Sequence, residues 1–194
     1  MSQTFFHNVF VVFFVLFAAI RVYFQWRARQ TQGRVEYKEG NLNTALRALL
    51  GTIFFLGVLF YIVRPQVLTW AELPLPQWFQ WLGVILGVIS LPFLAWTQQA
   101  LGSNFSTTLH VRQEHTLVTS GPYRHIRHPM YTALFLSLTA ILLLTRNWLV
   151  GGVPLVGLCV IVFLRVPREE RAMIEKFGDT YREYVKHTGR FLPR

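Results

Sequence analysis

Long apolar runs separated by short polar segments dominate the chain. An α-helix rises about 1.5 Å per residue, so about 20 apolar residues are needed to cross a bilayer. Three runs in the first half of the chain come close to that length, at residues 5–23, 44–63 and 78–95. This pattern predicts three membrane-spanning helices.

Two shorter apolar runs follow at residues 131–144 and 148–164, and only Thr145, Arg146 and Asn147 separate them. As helices they would be roughly 21 to 26 Å long. They predict a tight helical hairpin that crosses a thin part of the bilayer or leans on its neighbours, and a re-entrant pair is the alternative. The predicted fold class is an all-α integral membrane protein with about five transmembrane helices, the last two forming a short hairpin.

Basic residues are distributed unevenly between the polar segments. The chain has 19 Lys and Arg against 9 Asp and Glu, and all the basic residues except Arg64 and Arg146 fall in segments that five helices would place on one side. The positive-inside rule predicts that this side, which includes the C-terminus, is cytoplasmic. We therefore expect a multi-pass protein of the cell membrane in a prokaryote, or of the endoplasmic reticulum in a eukaryote. The basic segments are expected to contact anionic lipids, and Arg21 is expected to extend toward the headgroups.

Composition excludes several other classes of protein. Hydrophobic residues make up 53% of the chain and charged residues only 14%, which excludes a disordered chain and is too little charge for a nucleic-acid-binding domain. Cys159 is the only cysteine, which excludes a disulfide scaffold. A membrane scaffold or lipid-binding module without enzymatic activity stays open at this point.

The polar segment before the predicted hairpin is rich in histidine. Its four histidines are His110, His115, His125 and His128, and Glu114 is the nearby carboxylate. These spacings match no known zinc site, so no metal is predicted. An interfacial basic patch that contacts lipid headgroups is the simpler interpretation of this segment.

The same segment contains two signals of local structure. Gly121-Pro122 predicts a turn, and His128-Pro129 predicts a helix start with proline at the first helical position. Free backbone N–H groups near Met130 and Tyr131 would then attract an anionic group of a ligand.

A second polar cluster follows the last apolar run. Arg165 and Glu169 are four residues apart, so they share a helix face and can pair, although Pro167 between them would bend that helix. A paired arginine at the membrane edge can bind a carboxylate through two hydrogen bonds, and an ordinary charged helix end is the alternative interpretation. Beyond this pair, a spacing of three and four predicts a cytoplasmic amphipathic helix with a break near Gly178-Asp179. Its apolar positions are Ile174, Phe177, Tyr181 and Tyr184.

These motifs together resemble those of the isoprenylcysteine carboxyl methyltransferase family. Residues 115–131 read HTLVTSGPYRHIRHPMY, and RVPREE at 165–170, FGDTYREY at 177–184 and the closing Leu192-Pro193 follow in the family's order. The resemblance starts near Thr107, while the first three helices match only in kind. It therefore implies two parts, three N-terminal transmembrane helices at residues 1–97 and a catalytic half at residues 98–194. Phospholipid N-methyltransferases and, more distantly, sterol reductases share part of the pattern.

The resemblance also implies a chemistry and a set of site residues. The implied methyl donor is S-adenosyl-L-methionine, with S-adenosyl-L-homocysteine as product, and the implied acceptor is a prenylated cysteine α-carboxylate or a similar lipophilic carboxylate. On the acceptor side it implies Arg165 with Glu169. The implied cofactor-binding residues are His115, Thr116, Leu117, Val118, Tyr123, His128, Pro129, Met130 and Tyr131. A glycine-rich strand-to-helix loop is missing from the sequence, so a Rossmann-type methyltransferase is not expected.

Two enzymatic alternatives and the choice of acceptor stay open. A phospholipid N-methyltransferase would use the same cofactor, but an amine acceptor would need a base and would gain little from Arg165. An NADPH-dependent reductase of the sterol type is the other alternative. The expected partners are membrane lipids and a lipophilic small molecule, not nucleic acid, and the expected oligomeric state is a monomer.

Overall fold

The computed structural model describes residues 3–31, 41–102 and 117–194, with the side chains of residues 29, 31 and 41–50 left aside. All regular secondary structure in these ranges is helical, as predicted. The α-helices are α1 (Gln3–Thr31), α2 (Asn41–Val63), α3 (Trp78–Leu101), α4 (Pro129–Thr145), α5 (Val153–Phe177) and α6 (Asp179–His187). Short 3-10 helices at Pro65–Ala71 and Gly121–Arg124 and a π-helical turn at Trp148–Gly152 complete the structure.

The lengths of these helices support an integral membrane protein. Among the described residues, three helical stretches are long and apolar enough to cross a bilayer: Gln3–Ala28, Trp78–Leu101 and Trp148–Phe177. A fourth is obtained if Gly51–Val63 and Pro65–Ala71, which meet at 113°, are counted as one broken span. Helix α4 is shorter, and the count of five transmembrane helices stays a prediction.

Helices α1, α3 and α4 pack together, and α1 supplies an aromatic core. Phe6, Phe10, Phe13 and Phe14 recur at helical spacing and are all buried, so one face of α1 is directed into the bundle. Across that face they meet, among others, Tyr61, Leu138, Ile141 and Leu144. The opposite faces of the helices carry exposed valines, leucines and phenylalanines, as expected for surfaces in contact with lipid.

The two ends of the bundle contain different polar groups and segments. At the hairpin end, where α4 finishes, the Gln80 amide donates to the Leu144 carbonyl at 3.0 Å and the Tyr61 hydroxyl donates to the Thr145 carbonyl at 3.4 Å. At the other end, where α4 begins, the last turns of α3 lie against the 3-10 helix at Gly121–Arg124. Because helix α5 returns to this second end, His125 and His128 meet the tail there.

Asn147 organises the turn between α4 and α5. Its side-chain oxygen accepts hydrogen bonds from the backbone N–H groups of Leu149 and Val150, both at 3.1 Å. Its amide donates to the Leu68 carbonyl at 2.8 Å, and the residue is fully buried. The following turn lies so close to α4 that a Cβ on Gly151 would be 2.3 Å from the Leu142 Cα, so a glycine is required there.

The prediction of two short hairpin helices is confirmed for the length of α4 and wrong for the length of α5. Together with its π-helical turn, the second helix runs without a break from Trp148 to Phe177 and continues through Pro167. It ends at Gly178, whose φ of 53° suits glycine, and this is where the sequence predicts a break. The apolar run of α5 ends at Leu164, so it predicted only the first part of the helix. The polar turns after it are stabilised by contacts with α4 and the tail.

Candidate active site

Most of the predicted site residues meet at the start of α4. Of the predicted set, His115 and Thr116 lie outside the described residues. Leu117 and Val118 are half-buried in an irregular segment, and Tyr123 is buried in the short 3-10 helix after Gly121. The others lie at the start of α4 and on α5, so the structure brings together two motifs that are almost 40 residues apart in the chain.

Helix α4 begins as the sequence predicts. His128 occupies the N-cap position and Pro129 the first helical position, and Pro129 is fully buried. The backbone N–H of Tyr131, however, donates to the His128 carbonyl at 3.1 Å. The prediction of a free N–H at Tyr131 is therefore wrong, because the first turn is tight enough to satisfy that donor internally.

The predicted pair of Arg165 and Glu169 is formed. The Nε of Arg165 donates to Oε1 of Glu169 at 2.7 Å, despite Pro167 between them. The hydroxyl of Tyr131 donates to the same oxygen at 3.0 Å, and His128 Nδ1 lies 3.7 Å from the second oxygen. Glu169 therefore links the cofactor motif to the predicted acceptor-binding arginine.

Glu170 is a functional candidate to which the sequence analysis assigned no role. Its carboxylate accepts from Arg127 Nε at 3.2 Å and from Arg190 Nη2 at 2.6 Å, and it lies 3.3 Å from His128 Nε2. A carboxylate next to Glu169 in a strongly basic chain was the available signal. Three arginines and one histidine contact the two carboxylates of Glu169 and Glu170. Because the arginines outnumber the carboxylates, this end of the bundle is electropositive.

The C-terminal tail folds over the start of α4. The backbone N–H of Gly189 donates to the His125 carbonyl at 3.1 Å, and the N–H of Arg127 donates back to the Gly189 carbonyl at 2.8 Å. The Thr132 hydroxyl bonds to the Phe191 carbonyl at 2.7 Å. A Cβ on Gly189 would be 1.8 Å from the Leu192 carbonyl oxygen, so only glycine permits this turn.

Tyrosines join helix α6 to the candidate cofactor segment. The Tyr184 hydroxyl donates to the Tyr123 carbonyl at 2.5 Å. Burial raises the pKa of the Tyr123 hydroxyl above its usual range and that of Tyr184 to about 12. Both phenols are therefore neutral at physiological pH, and Tyr123 offers a buried aromatic ring.

Arg21 has partners that the sequence did not predict. Its guanidinium contacts α3 and α4, with Nη1 3.3 Å from Gln98 Oε1 and 3.9 Å from Met130 Sδ, and its approach to the headgroups stays a prediction. Met130 belongs to the predicted cofactor set. No motif marked Arg21, because its partners are 77 and 109 residues away in the chain.

Comparison with known proteins finds a family similar to part of the chain. A family model described as the isoprenylcysteine carboxyl methyltransferase (ICMT) family matches residues 82–175, from α3 to the end of α5. This region, just under half of the chain, is similar to the isoprenylcysteine carboxyl methyltransferase family. The match includes the start of α4 and Glu169 and Glu170 of α5, and it stops before α6 and the tail.

Individual members of the family are more distant. The chain is 29% identical to protein-S-isoprenylcysteine O-methyltransferase of Mus musculus over 126 residues, covering 64% of this chain and 44% of that protein. The enzyme of the same name from Dictyostelium discoideum is 28% identical over 119 residues, covering 58% and 48%. The matched region thus spans less than half the length of these curated relatives.

A solved structure of the family has the same fold. It is described as the eukaryotic intramembrane Ras methyltransferase ICMT, with a TM-score of 0.54, 20% sequence identity, and coverage of 80% of this chain and 53% of that chain. At this identity the likeness concerns the arrangement of helices. It extends the similarity beyond the C-terminal half, because 80% of the chain includes part of the N-terminal helices.

Proposed function

We propose that the chain transfers a methyl group from S-adenosyl-L-methionine to the carboxylate of a prenylcysteine-type or similar lipophilic acceptor in the membrane. The observation that carries the proposal is the Arg165–Glu169–Tyr131 contact at the start of α4. It supports the proposal because it puts an oriented arginine beside the predicted cofactor residues, at an electropositive end of a membrane bundle. The names of the curated relatives support the same reaction.

The residues around Tyr123 fit the cofactor. Tyr123 supplies a buried aromatic ring and Leu117 and Val118 supply half-buried apolar contacts, which suit an adenine ring. His128, Pro129, Met130 and Tyr131 would contact the rest of the molecule, with His115 and Thr116 completing the predicted set. When bound, the sulfonium supplies an activated methyl group.

Arg165 would hold the acceptor carboxylate. A carboxylate is ionised at pH 7, so no general base is needed, and positioning the oxygen in line with the methyl group can provide much of the acceleration. The carboxylate loses its charge as the ester forms, so an arginine that held it too tightly would slow the reaction. The 2.7 Å contact with Glu169 both orients Arg165 and reduces its net charge.

The membrane arrangement belongs to the same proposal. Five transmembrane helices with a cytoplasmic C-terminus would place α6 and the tail on the cytoplasmic face, where the basic residues would contact anionic lipids. The N-terminal part, residues 1–97, would shape the passage for the lipid chain of the acceptor. That chain would enter from the bilayer, and the expected oligomeric state is a monomer.

The proposal is tested by titrating the detergent-purified protein with S-adenosyl-L-homocysteine in a calorimeter. We expect micromolar affinity, lost in the double variant Tyr123→Ala/His128→Ala, and methyl transfer to a prenylcysteine analogue. Exposed Tyr23→Ala on α1 is the matched control and should bind normally. A folded wild type that binds no S-adenosyl-L-homocysteine would refute the proposal, while N-methylated lipids in expressing membranes would replace the carboxylate acceptor with an amine.

A further inference from the structure

A polar pair lies where α1, α3 and α4 meet. Arg21 of α1 donates from Nη1 to the Gln98 Oε1 of α3 at 3.3 Å. The same guanidinium nitrogen is 3.9 Å from the sulfur of Met130, in the first turn of α4. The pair therefore adjoins the candidate cofactor residues on the α1 and α3 side of α4.

Gln98 has an unused donor in this position. Its side chain is 1% exposed, and its Nε2 has no hydrogen-bond partner among the described residues. The orientation of the amide is set by chemistry, because a guanidinium has only donors and must face the oxygen. The NH₂ group is thus the part of the amide that Arg21 does not engage, and a buried donor of this kind normally has an acceptor.

The chemistry of the missing acceptor follows from its neighbours. A guanidinium and an amide NH₂ side by side match an anionic oxygen pair, which can accept charge-assisted hydrogen bonds from both. The backbone N–H of Tyr131 cannot take this role because the His128 carbonyl already accepts from it. Arg165 is engaged with Glu169 at the α5 side of the site, so the pair next to Met130 offers a separate place for a carboxylate.

We infer that Arg21 and Gln98 bind the carboxylate of the amino-acid part of the methyl donor. This inference rests on the proposed function and adds to it a recognition element in the N-terminal helices. It makes α1 part of the cofactor site, although the family match begins only at residue 82. Arg21 and Gln98 are binding residues in this assignment and take no part in the transfer itself.

The test compares two ligands that differ only in the carboxylate. S-adenosyl-L-homocysteine and its decarboxylated analogue are titrated into detergent-purified wild type, Arg21→Met and Gln98→Met. Methionine keeps an unbranched apolar side chain on the helix, so packing is largely retained. Arg27→Met, at an exposed position six residues later on α1, is the matched control, and thermal unfolding of each variant verifies that it is folded.

We expect Arg21→Met to weaken S-adenosyl-L-homocysteine about 10- to 100-fold, as for loss of a charge-assisted bond. Gln98→Met should weaken it about fivefold, and Arg27→Met should have no effect. The decarboxylated analogue should bind wild type and Arg21→Met with equal affinity. A merely structural Arg21 would weaken both ligands alike, and that result overturns the inference.

Two further outcomes separate this inference from the function on which it rests. Unchanged affinity of Arg21→Met for S-adenosyl-L-homocysteine would overturn the inference while leaving the methyltransferase proposal intact. A folded wild type that binds neither ligand would overturn both, because no methyl donor would then occupy the site.

Discussion

The two ends of helix α4 both contain buried polar side chains, but of different kinds. At the hairpin end, the neutral Asn147 is fully buried and its amide is engaged with backbone groups of Leu68, Leu149 and Val150. At the other end, Glu169 and Glu170 have side chains 23% and 15% exposed and share several cations. The Asn147 amide is neutral and fully buried, while the cluster of Glu169 and Glu170 is charged and partly open to solvent.

The two clusters therefore have different roles, one in the stability of the fold and the other in binding and turnover. A fully buried neutral amide that satisfies backbone groups between apolar helices stabilises the fold and is closed to a ligand. Charged groups at the membrane edge keep access to water, and their partners can be exchanged for those of a ligand. Substitutions at the hairpin end should therefore affect stability, and substitutions at the opposite end should affect binding and turnover.

Asn147→Ala should produce the largest effect and should act on stability. Three hydrogen bonds are lost and buried backbone groups at Leu68, Leu149 and Val150 become unpaired, so we expect a loss of about 2–4 kcal/mol in the free energy of unfolding. Thermal unfolding in detergent measures it. Asn147→Ser, which keeps an oxygen that can accept from the N–H groups of Leu149 and Val150 but is too short for the Leu68 contact, should lose less. A loss equal to that of Asn147→Ala would contradict the role of the acceptor oxygen.

Arg165→Lys should have the next largest effect and should act on turnover. Lysine keeps the charge but cannot reproduce the planar pair of donors, so kcat/KM for the acceptor should fall about 10- to 100-fold. Affinity for S-adenosyl-L-homocysteine should stay within about twofold of wild type. The exposed Arg182→Lys on α6 is the control, and a variant with normal turnover would remove Arg165 from the acceptor side.

Glu170→Gln should loosen the tail. The neutral amide cannot hold Arg127, His128 and Arg190 as the carboxylate does, so the free energy of unfolding should fall by about 1–3 kcal/mol and limited proteolysis should cut the tail faster. Glu183→Gln removes an exposed ion pair to Lys186 on α6 and should leave the stability unchanged. Equal proteolysis of the two variants would show that Glu170 does not hold the tail.

Tyr184→Phe should have the smallest effect and should be visible in the pH dependence of stability. Burial raises the pKa of Tyr184 to about 12, above the usual value of about 10. Its contribution is therefore complete below about pH 10 and is lost as the pH rises toward 12. The variant should be about 0.5–1.5 kcal/mol less stable at neutral pH and should lose less stability across the alkaline range, as measured by unfolding at several pH values.

The features that the sequence predicted correctly are local. Proline after His128 starts a helix because its fixed φ and missing N–H suit the first turn, and Gly178 ends one because it adopts a positive φ. Arg165 and Glu169 pair because four residues make about one helical turn. The apolar runs predicted an all-helical membrane protein for the same reason, since the length of each run can be compared with the thickness of the bilayer without reference to other segments.

The remaining features required the tertiary structure. Glu170 became a shared partner only when the tail folded back over α4, and Arg21 turned toward Gln98 only when α1 packed against α3. Asn147 could be read as a helix cap from its position, but its bond to Leu68 spans 79 residues. The sequence by itself determined helices, their ends and the family motifs, because these depend on neighbours within a few residues. Packing decided which polar groups meet, because contacts between distant segments leave no periodic signal in the chain.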